Sequence, residues 1–459
     1  MVEQKKIAFH TLGCKLNFSE TDAISRQFAD DGYVLVDFSE PADIYVINSC
    51  TVTKNAEKRC KTLIRQALKT NELAHVVVMG CYSQIKPAEL FAIPGVSMVL
   101  GNAEKFNLFE HLRNLEKTDS DLDRSRLEYE GVDEMGGVDN RTGIDAGSGV
   151  GDLQGVKGEE LTGFIPTFST GGRTRSFFKI QDGCDYKCSY CTIPLARGHS
   201  RSDTIAGTIE TARTIAQTDM KEIVLTGVNI GDFGKQHSES FHDLLKELIK
   251  IEGIERIRLS SVEPDLLHDD IIRLVAAEPK LMPHFHIPLQ SGSDGILKAM
   301  GRRYNTAMFA DRVASIRQDI PHACIAADLI VGYPGETASL FKESYDFIAE
   351  MDVSYIHVFT YSERENTRAL EQEQAVHPAE RKKRSKAMQQ LSSEKKKQFI
   401  QSNRGLVTTV LWENSNHKGY MFGFTENYIK VKTPFDKNKV NTLERVLLDK
   451  TDKSGVYEI

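Results

Sequence analysis

The sequence predicts an α/β protein with three folded domains: a parallel α/β sheet domain, a partial (βα)6 barrel and a small β-barrel. Three observations lead to this prediction. Short apolar runs alternate with amphipathic stretches over residues 5–116, strand-then-helix units repeat over residues 177–362, and short strands crowd residues 405–459. At 459 residues, the chain is also too long for one ordinary hydrophobic core.

The first domain is predicted over residues 3–116 as a parallel sheet covered by helices. Its strands are the apolar runs, and its helices are the amphipathic stretches between them. The predicted strands are Lys5–Thr11, Val34–Phe38, Asp43–Asn48, His75–Gly80 and Val96–Leu100, and the predicted helices are Ser19–Asp30, Lys54–Lys69, Pro87–Ala92 and Lys105–Leu115.

Three cysteines of this domain follow strands. Cys14, Cys50 and Cys81 each lie just past the C-terminal end of a predicted strand. Open α/β sheets gather their ligands at this edge, so three thiolates can converge there on an iron–sulfur cluster. The alternative is three unrelated buried cysteines, because free cysteine is often a core residue. Cys60 lies at helical spacing on an apolar helix face and is predicted to be core.

Residues 117–172 are predicted to be a linker, since they hold 12 glycines and show little hydrophobic periodicity. Within them, residues 117–160 contain 12 acidic and 5 basic residues, and the whole chain has a net charge of −7. The acidic excess is therefore confined to this segment, and the rest of the protein can still carry basic patches.

The second domain is predicted over residues 173–375. Six strand-then-helix units are too few to close an eight-stranded barrel, so we expect a curved, partly open barrel with its chemistry at the C-terminal strand ends. Cys324 lies inside an apolar run and is predicted to be core. The predicted strands are Phe177–Gln181, Glu222–Gly227, Arg256–Ser261, His284–Gln290, Cys324–Val331 and Tyr355–Tyr361.

A loop after the first barrel strand carries Cys184, Cys188 and Cys191 at the spacing C-x3-C-x2-C. A structural zinc site usually has four ligands in two C-x-x-C pairs, and neither a fourth ligand nor a second pair follows here. Three cysteines on a 4Fe-4S cluster leave one iron open to a substrate or cofactor. The spacing favours the cluster, and an incomplete zinc loop is the alternative.

The C-terminal region is predicted to comprise a connecting helix over residues 376–400 and an oligonucleotide-binding type of β-barrel over residues 401–459. The basic runs Arg381–Arg384 and Lys395–Lys397 form either a solvated helix face or a contact to an RNA backbone. Aromatic and basic residues of the barrel either contact RNA or fill a small core. The predicted strands are Leu406–Trp412, Tyr420–Phe424, Tyr428–Lys432, Leu443–Leu448 and Val456–Ile459.

Several motifs together resemble the methylthiotransferase family, which has an N-terminal three-cysteine domain, a radical S-adenosylmethionine (SAM) domain and a C-terminal TRAM domain. The motifs are Thr11-Leu-Gly-Cys14-Lys-Leu-Asn17, Asn48-Ser-Cys50-Thr-Val-Thr53, Gly80-Cys81, the Cys184 loop, and His286-Ile-Pro-Leu-Gln290-Ser-Gly-Ser293 continuing into Met300-Gly-Arg-Arg-Tyr304.

The residues after Cys14 discriminate between branches of this family. Lys15-Leu-Asn17 resembles the branch that acts on N6-threonylcarbamoyladenosine in tRNA. The branch acting on isopentenyladenosine tends to have Gln-Met-Asn at these positions, and the branch acting on ribosomal protein S12 tends to have Pro-Lys-Asn.

The resemblance implies an enzyme that adds a methylthio group to C2 of adenosine 37 in tRNA. It implies two 4Fe-4S clusters, one held by Cys14, Cys50 and Cys81 and carrying the sulfur, the other held by the Cys184 loop and binding SAM. SAM would both methylate the sulfur and yield the radical that takes hydrogen from C2. The implied partners are the tRNA anticodon arm and an electron donor of the flavodoxin or ferredoxin type.

Further candidate residues come from the strand ends and from the C-terminal region. The candidates for SAM binding are Tyr190, Gly227, Asn229, Ser260, Ser261, Glu263, Gln290 and Asp328. The candidates for RNA binding are Arg302, Arg303, Tyr428, Lys430 and Lys432. Turn and cap chemistry is the alternative for each strand-end residue taken singly.

The chain has no signal-peptide pattern and no apolar run of membrane-spanning length, so a cytoplasmic, monomeric protein without a membrane partner is expected. Eight cysteines in such a chain indicate a reducing compartment with metal or redox use. The alternative from another functional class is a non-catalytic, zinc-dependent RNA-binding protein.

Overall fold

The computed structural model describes residues 4–121, 161, 163–171 and 174–459. The predicted linker 117–172 therefore lies largely outside the described residues. The chain forms two compact units. The first comprises Met1–Gly13, Ile24–Thr51 and Asn55–Gly158, and the second comprises Cys14–Ala23, Val52–Lys54 and Glu159–Ile459. The predicted domain boundaries stay predictions.

The first unit contains a parallel five-stranded sheet in the order β2-β1-β3-β4-β5. This confirms the predicted sheet domain. The central strand β3 is buried along its whole length, because helices cover both faces of the sheet. The strands are β1 Lys6–Thr11, β2 Val34–Val36, β3 Ile44–Ser49, β4 His75–Gly80 and β5 Val96–Leu100, and the helices are α1 Lys15–Asp30, α2 Lys54–Thr70, α3 Cys81–Ile85, α4 Pro87–Phe91 and α5 Leu108–Asp121.

Helix α1 is shared between the units, since its residues up to Ala23 belong to the second unit. The short helix α3 was not expected from the sequence. It begins directly at Cys81, so β4 turns into a helix at the position of a predicted cluster ligand.

Six parallel strands of the second unit run in chain order around a partial barrel, as predicted. They form a sheet β11-β10-β7-β6 and a sheet β12-β13-β14, joined by the bridge between Ser261 and His286. The strands are β6 Thr167–Phe168, β7 Arg175–Lys179, β8 Gln181–Asp182, β9 Arg201–Ser202, β10 Glu222–Thr226, β11 Arg256–Leu259, β12 His284–Gln290, β13 Cys324–Val331 and β14 Tyr355–Thr360. Strand β6, which pairs antiparallel with β7, lies within the range predicted as linker.

Helices cover the outer face of this barrel and are α6 Ile193–Arg197, α7 Ile205–Ala216, α8 Phe241–Leu248, α9 Asp269–Ala277, α10 Asp294–Met300, α11 Thr306–Asp319 and α12 Ala338–Glu350. Along each strand, successive side chains face alternately the helices and the lumen. On β13, Ile325, Ala327 and Leu329 join the apolar core under the helices, so Ala326 and Asp328 face the lumen. The lumen is therefore the polar side of the barrel.

Helix α13, Pro378–Ser402, leads into a six-stranded sheet in the order β18-β15-β16-β17-β20-β19. Trp412 is fully buried in its core. Closure of this sheet into a barrel stays a prediction. The strands are β15 Val407–Trp412, β16 Tyr420–Thr425, β17 Lys430–Pro434, β18 Leu443–Leu447, β19 Lys450–Thr451 and β20 Tyr457–Glu458.

Three of the seven cations in the basic runs of α13 are buried, and the other four are exposed. Arg381 donates to Glu363 at 2.5 Å, and Arg384 donates to Glu336 at 2.6 Å. Lys395 donates to the carbonyl oxygens that cap the end of α12, at 2.7 and 3.0 Å. These three cations hold the helix against the barrel, so they are not available to an RNA backbone. Among the described residues, no helix has the length and apolar character that a membrane span requires.

Cys60 is a core residue, as predicted: it is fully buried on α2 with Leu63, Ile64 and Ala67. Burial raises the pKa of its thiol to about 12. We expect Cys60→Ala to lower the free energy of unfolding by about 1–2 kcal/mol, through the loss of a buried sulfur, without changing the iron content. Chemical denaturation and an iron assay measure the two quantities. Loss of iron from this variant would mean that Cys60 is a cluster ligand.

Candidate active site

The cysteine loop leaves the barrel directly after β7 and β8, at the C-terminal end of the strands. Cys184, Cys188 and Cys191 are all partly accessible. Gly183 begins the loop with φ +68°, and a Cβ at this position would lie 1.9 Å from the carbonyl oxygen of His199. A side chain at residue 183 would therefore push the loop off its support.

Each sulfur of the loop accepts a hydrogen bond. The backbone N–H groups of Tyr186 and Ile193 donate to Cys184 and Cys191, both at 3.4 Å. The Arg302 guanidinium donates to Cys188 at 2.9 Å. Burial raises the pKa of the Cys191 thiol to about 12, so the loop favours protonated thiols until a metal replaces the protons.

This donor set fits a 4Fe-4S cluster. N–H groups aimed at sulfur stabilise cluster thiolates and tune their potential. A single zinc ion is a poorer fit, because its ligand atoms must lie close together and the three sulfurs do not all lie within 4.8 Å of one another. In the described chain, the ligand atoms of His286, Asp328 and His357 do lie within this distance.

The loop is fixed to its neighbours through Ser189 and Gln181. The Ser189 N–H donates to the Met300 carbonyl at 2.9 Å, and its hydroxyl lies 2.7 Å from the Tyr333 hydroxyl. The Gln181 side-chain oxygen accepts from the N–H groups of Val228 and Asn229, both at 2.9 Å. Its amide donates back to the loop carbonyl of Gly183 at 2.8 Å. Gln181 thus joins the cysteine loop to the loop after β10, a role that sequence reasoning missed.

A buried ion network lies beside the loop and was also missed. Its acids are Glu20 and Asp182, and its bases are Lys179, Arg197 and Arg201. All five side chains are less than 8% exposed, with separations of 2.9–3.1 Å. Glu20 belongs to the start of α1, so the network ties the segment after Cys14 to the strand and loop that carry Cys184.

A cavity of about 220 Å³ opens beside Cys191. Its lining includes three of the predicted SAM residues, Tyr190, Gln290 and Asp328. Gln290 has φ +66°, a left-handed backbone conformation that is strained for a residue with a side chain and that concentrates at ligand sites. Asp328 is held by the ring of His286, with Nε2 to Oδ1 at 2.8 Å.

The other predicted SAM residues lie at the ends of β10 and β11 and do not line this cavity. Asn229 Oδ1 and Ser260 Oγ are buried and have no hydrogen-bond partner in the described part of the chain. Buried polar groups normally have partners, so these two are suited to a ligand. Gly227 has a different role, because a Cβ there would meet the Gln181 and Ile230 side chains at 2.8 Å. Ser261 forms the bridge between the two barrel sheets.

Glu263 is paired with the Arg302 side chain. Burial raises the pKa of Glu263, and the adjacent guanidinium opposes that rise. Arg302 is only 3% exposed and also contacts Tyr304. Arg302 is therefore bonded to the cysteine loop and to Glu263, and its contact with RNA stays a prediction.

The N-terminal cysteines each follow a strand, as expected. Cys50 directly follows β3 and Cys81 directly follows β4, and these strands pair through Ser49 and Gly80. Cys81 accepts a hydrogen bond from the Asn102 amide at 3.8 Å. Cys14 is exposed at the start of α1 and belongs to the second unit. Their assignment as ligands of one cluster stays a prediction.

The remaining RNA candidates differ in accessibility. Arg303 is exposed and lies over the Tyr186 ring, and Lys430 is exposed with its ammonium 3.8 Å from the centre of the Phe422 ring. Lys432 is neutralised by Asp452 and Glu458 at 2.5 and 3.1 Å. Tyr428 is half-buried, stacked on Phe424 and contacted by Arg175 and Arg258. Tyr428 and Lys432 therefore make internal contacts, and their role in RNA binding stays a prediction.

Removal of the Arg302 charge provides a test of the loop. Arg302→Gln is expected to lower the midpoint potential of a cluster on this loop by roughly 60 mV or more, because a nearby cation favours the added electron. A redox titration followed by electron paramagnetic resonance measures the shift. Arg303→Gln is the matched control, since Arg303 is an exposed neighbour without a bond to sulfur. Equal potentials in both variants would contradict this role.

The chain matches two protein-family models. Residues 6–101 match the uncharacterized protein family UPF0004, and residues 178–348 match the radical SAM superfamily. The first range spans the sheet that carries Cys50 and Cys81, and the second spans the cysteine loop and most of the barrel.

Curated relatives match almost the whole chain. Threonylcarbamoyladenosine tRNA methylthiotransferase MtaB of Bacillus subtilis is 36% identical over 93% of this chain and 89% of its own length. The protein of the same name from Aquifex aeolicus is 35% identical over 96% and 100%. The tRNA-2-methylthio-N(6)-dimethylallyladenosine synthase of Wolinella succinogenes is 31% identical over 92% of each chain.

A solved structure shares the fold. The radical S-adenosylmethionine methyltransferase TsrM from Kitasatospora setae superposes with a TM-score of 0.52 at 15% identity, over 77% of this chain and 73% of that chain. At this identity the similarity concerns the fold alone. Together with the full-length relatives and the two cysteine-bearing domains, it leads to one conclusion: the chain belongs to the radical SAM tRNA methylthiotransferase family.

Proposed function

We propose that this protein adds a methylthio group to C2 of N6-threonylcarbamoyladenosine at position 37 of tRNA. The observation that carries the proposal is the match, over more than nine tenths of the chain, to relatives with this activity in their names. The geometry of the cysteine loop supports it, because three hydrogen-bonded sulfurs surround a site beside a ligand-sized cavity.

Two clusters and SAM are the cofactors of the proposal. Cys184, Cys188 and Cys191 would hold one 4Fe-4S cluster, and Cys14, Cys50 and Cys81 would hold the other. When bound, these groups supply the radical chemistry and the sulfur that a C2–H bond requires, since that hydrogen is too weakly acidic for an ordinary base.

The chain's own residues bind and orient the reactants. Gln290 and Asp328 line the cavity beside Cys191 and offer an amide and a carboxylate to polar groups of SAM. Asn229 and Ser260 present buried oxygen atoms from neighbouring strand ends. Arg302 supplies the positive charge next to the loop. These assignments rest on position and, for Asn229 and Ser260, on oxygen atoms that have no hydrogen-bond partner in the described residues.

The proposal includes docking of the anticodon arm on the open side of the barrel and the C-terminal sheet. Strand β14 is the edge of the barrel sheet, and Phe359 is 43% exposed on its lumen side. Aromatic rings beside exposed cations, such as the half-buried Phe422 beside Lys430, are suited to bases and phosphates. We infer that this sheet is a TRAM domain. We also infer a flavodoxin or ferredoxin type of donor, and a monomeric, cytoplasmic protein.

A second candidate substrate is the dimethylallyl-type adenosine, because the Wolinella relative, which is named for that nucleoside, is 31% identical to this chain. The two candidates differ in the substituent on N6 and not in the reaction. The experiment that tests the proposal must therefore identify the nucleoside itself.

Mass spectrometry of tRNA nucleosides provides this test. Deletion of the gene is expected to remove 2-methylthio-N6-threonylcarbamoyladenosine, and restoring the gene is expected to return it. An unchanged level of this nucleoside with loss of the isopentenyl analogue would overturn the proposed substrate. If no tRNA nucleoside changes, the ribosomal-protein alternative is next, and protein S12 is examined for the added mass.

The two cysteine sets are expected to separate SAM cleavage from methylthio transfer. Alanine at Cys184, Cys188 or Cys191 removes a ligand of the SAM-binding cluster, so 5′-deoxyadenosine formation is expected to fall to background. Alanine at Cys14, Cys50 and Cys81 is expected to preserve that cleavage and to abolish methylthiolation. Chromatography of both products, with Cys60→Ala as the control, checks the separation. Persistent cleavage in the triple variant of the loop would contradict the ligand assignment.

A further inference from the structure

The barrel lumen contains charged side chains that form ion pairs. Arg258 donates to both oxygens of Glu222, at 2.8 and 3.2 Å. Arg175 donates to Glu413 at 2.6 Å. Arg175 and Glu222 are the first residues of β7 and β10.

Lys15 is the exception. It is the first residue of α1, it is half-buried, and its ammonium interacts electrostatically with Arg175, Glu222, Arg258 and Asp328 from four different strands. The first turn of α1 is also held beside the cysteine loop, because Arg197 donates to Asn17 at 2.6 Å and to Glu20 at 3.0 Å, so the Lys15 side chain lies at the lumen. No hydrogen bond or ion pair joins the ammonium to any residue in the described part of the chain. A buried cation without a hydrogen-bonded anionic partner is costly unless a ligand supplies that partner.

The surroundings favour an anion over a metal ion. His286, Asp328 and His357 have ligand atoms within 4.8 Å of one another. However, Asp328 already accepts a hydrogen bond from His286 at 2.8 Å, and Lys15 adds positive charge that opposes a bound cation. Asp328 also lines the cavity beside Cys191, so Lys15 is close to the place where the reaction is proposed to occur.

The two candidate substrates differ in the charge of the group on N6. A dimethylallyl group is a hydrocarbon, whereas a threonylcarbamoyl group ends in an amino-acid carboxylate. We propose that Lys15 binds the carboxylate of the substrate's threonylcarbamoyl group and thereby selects this nucleoside. The inference rests on the proposed function and adds the residue that recognises the substituent.

The test compares two RNA substrates and two enzyme variants. Anticodon stem-loops carry either threonylcarbamoyladenosine or its carboxyl methyl ester, and the reconstituted holoenzyme is wild type or Lys15→Gln. Lys15→Gln is expected to raise KM for the acid by about 10- to 100-fold, the effect of a charged hydrogen bond. With the wild type, the ester is expected to have a KM as high as that of the acid with Lys15→Gln. With Lys15→Gln, the ester and the acid are expected to have the same KM, because the two changes remove one interaction.

Controls separate recognition from a structural effect. Lys15→Arg keeps the charge and is expected to recover part of the affinity. Lys250→Gln removes an exposed lysine that pairs with Glu247 on the outer surface, and it is expected to behave as the wild type. Iron content and 5′-deoxyadenosine formation are expected to be unchanged in Lys15→Gln.

Three outcomes would overturn the inference. The first is an equal KM for acid and ester with the wild type. The second is loss of iron in Lys15→Gln, which would assign the charge to a cluster at the adjacent Cys14. The third is an equal loss on an RNA with unmodified adenosine, which would indicate a phosphate contact. Failure of the proposed function differs from all three, because the wild type would then not methylthiolate the acid at all.

Discussion

The buried network of Glu20, Asp182, Lys179, Arg197 and Arg201 holds together the parts of the second unit on which the site depends. Removing one member of such a network leaves an uncompensated buried charge, which typically costs about 3–5 kcal/mol. Because Arg197 also donates to Asn17 at 2.6 Å, the network fixes the first turn of α1, where Lys15 and Cys14 are placed, against the strand that leads to the cysteine loop.

The polar lumen follows from the architecture of the barrel. Its helices bury only the outward-facing residues of each strand, so the inward-facing residues are free to be ionic. Neighbouring strands then neutralise most of these charges, as in the pair of Arg258 with Glu222. The charges near the cavity, on Arg302 and Lys15, are the ones that can act on reactants.

The local pattern of the sequence predicted most of the fold and the placement of the N-terminal cysteines after strands. Strands β4, β5, β12 and β13 occur at their predicted bounds, because apolar runs with clear punctuation specify strands locally. Long-range partners were not predictable: Gln181, Glu20 and Arg302 act on residues far along the chain, and no spacing rule links them. The internal contacts of Lys432 and Tyr428 were not predictable for the same reason, since their acidic and cationic neighbours come from other parts of the chain.

The assignment of Cys14–Ala23 to the second unit has a consequence for how such proteins can be rearranged. A cut after the first sheet domain would leave Glu20 in a fragment without Lys179 and Arg197, and it would leave the barrel fragment with three bases facing one acid. The two cysteine-bearing regions are therefore not interchangeable cassettes. Recombination that exchanges one of them between relatives must carry the start of α1 together with the barrel, although 159 residues separate Glu20 from Lys179.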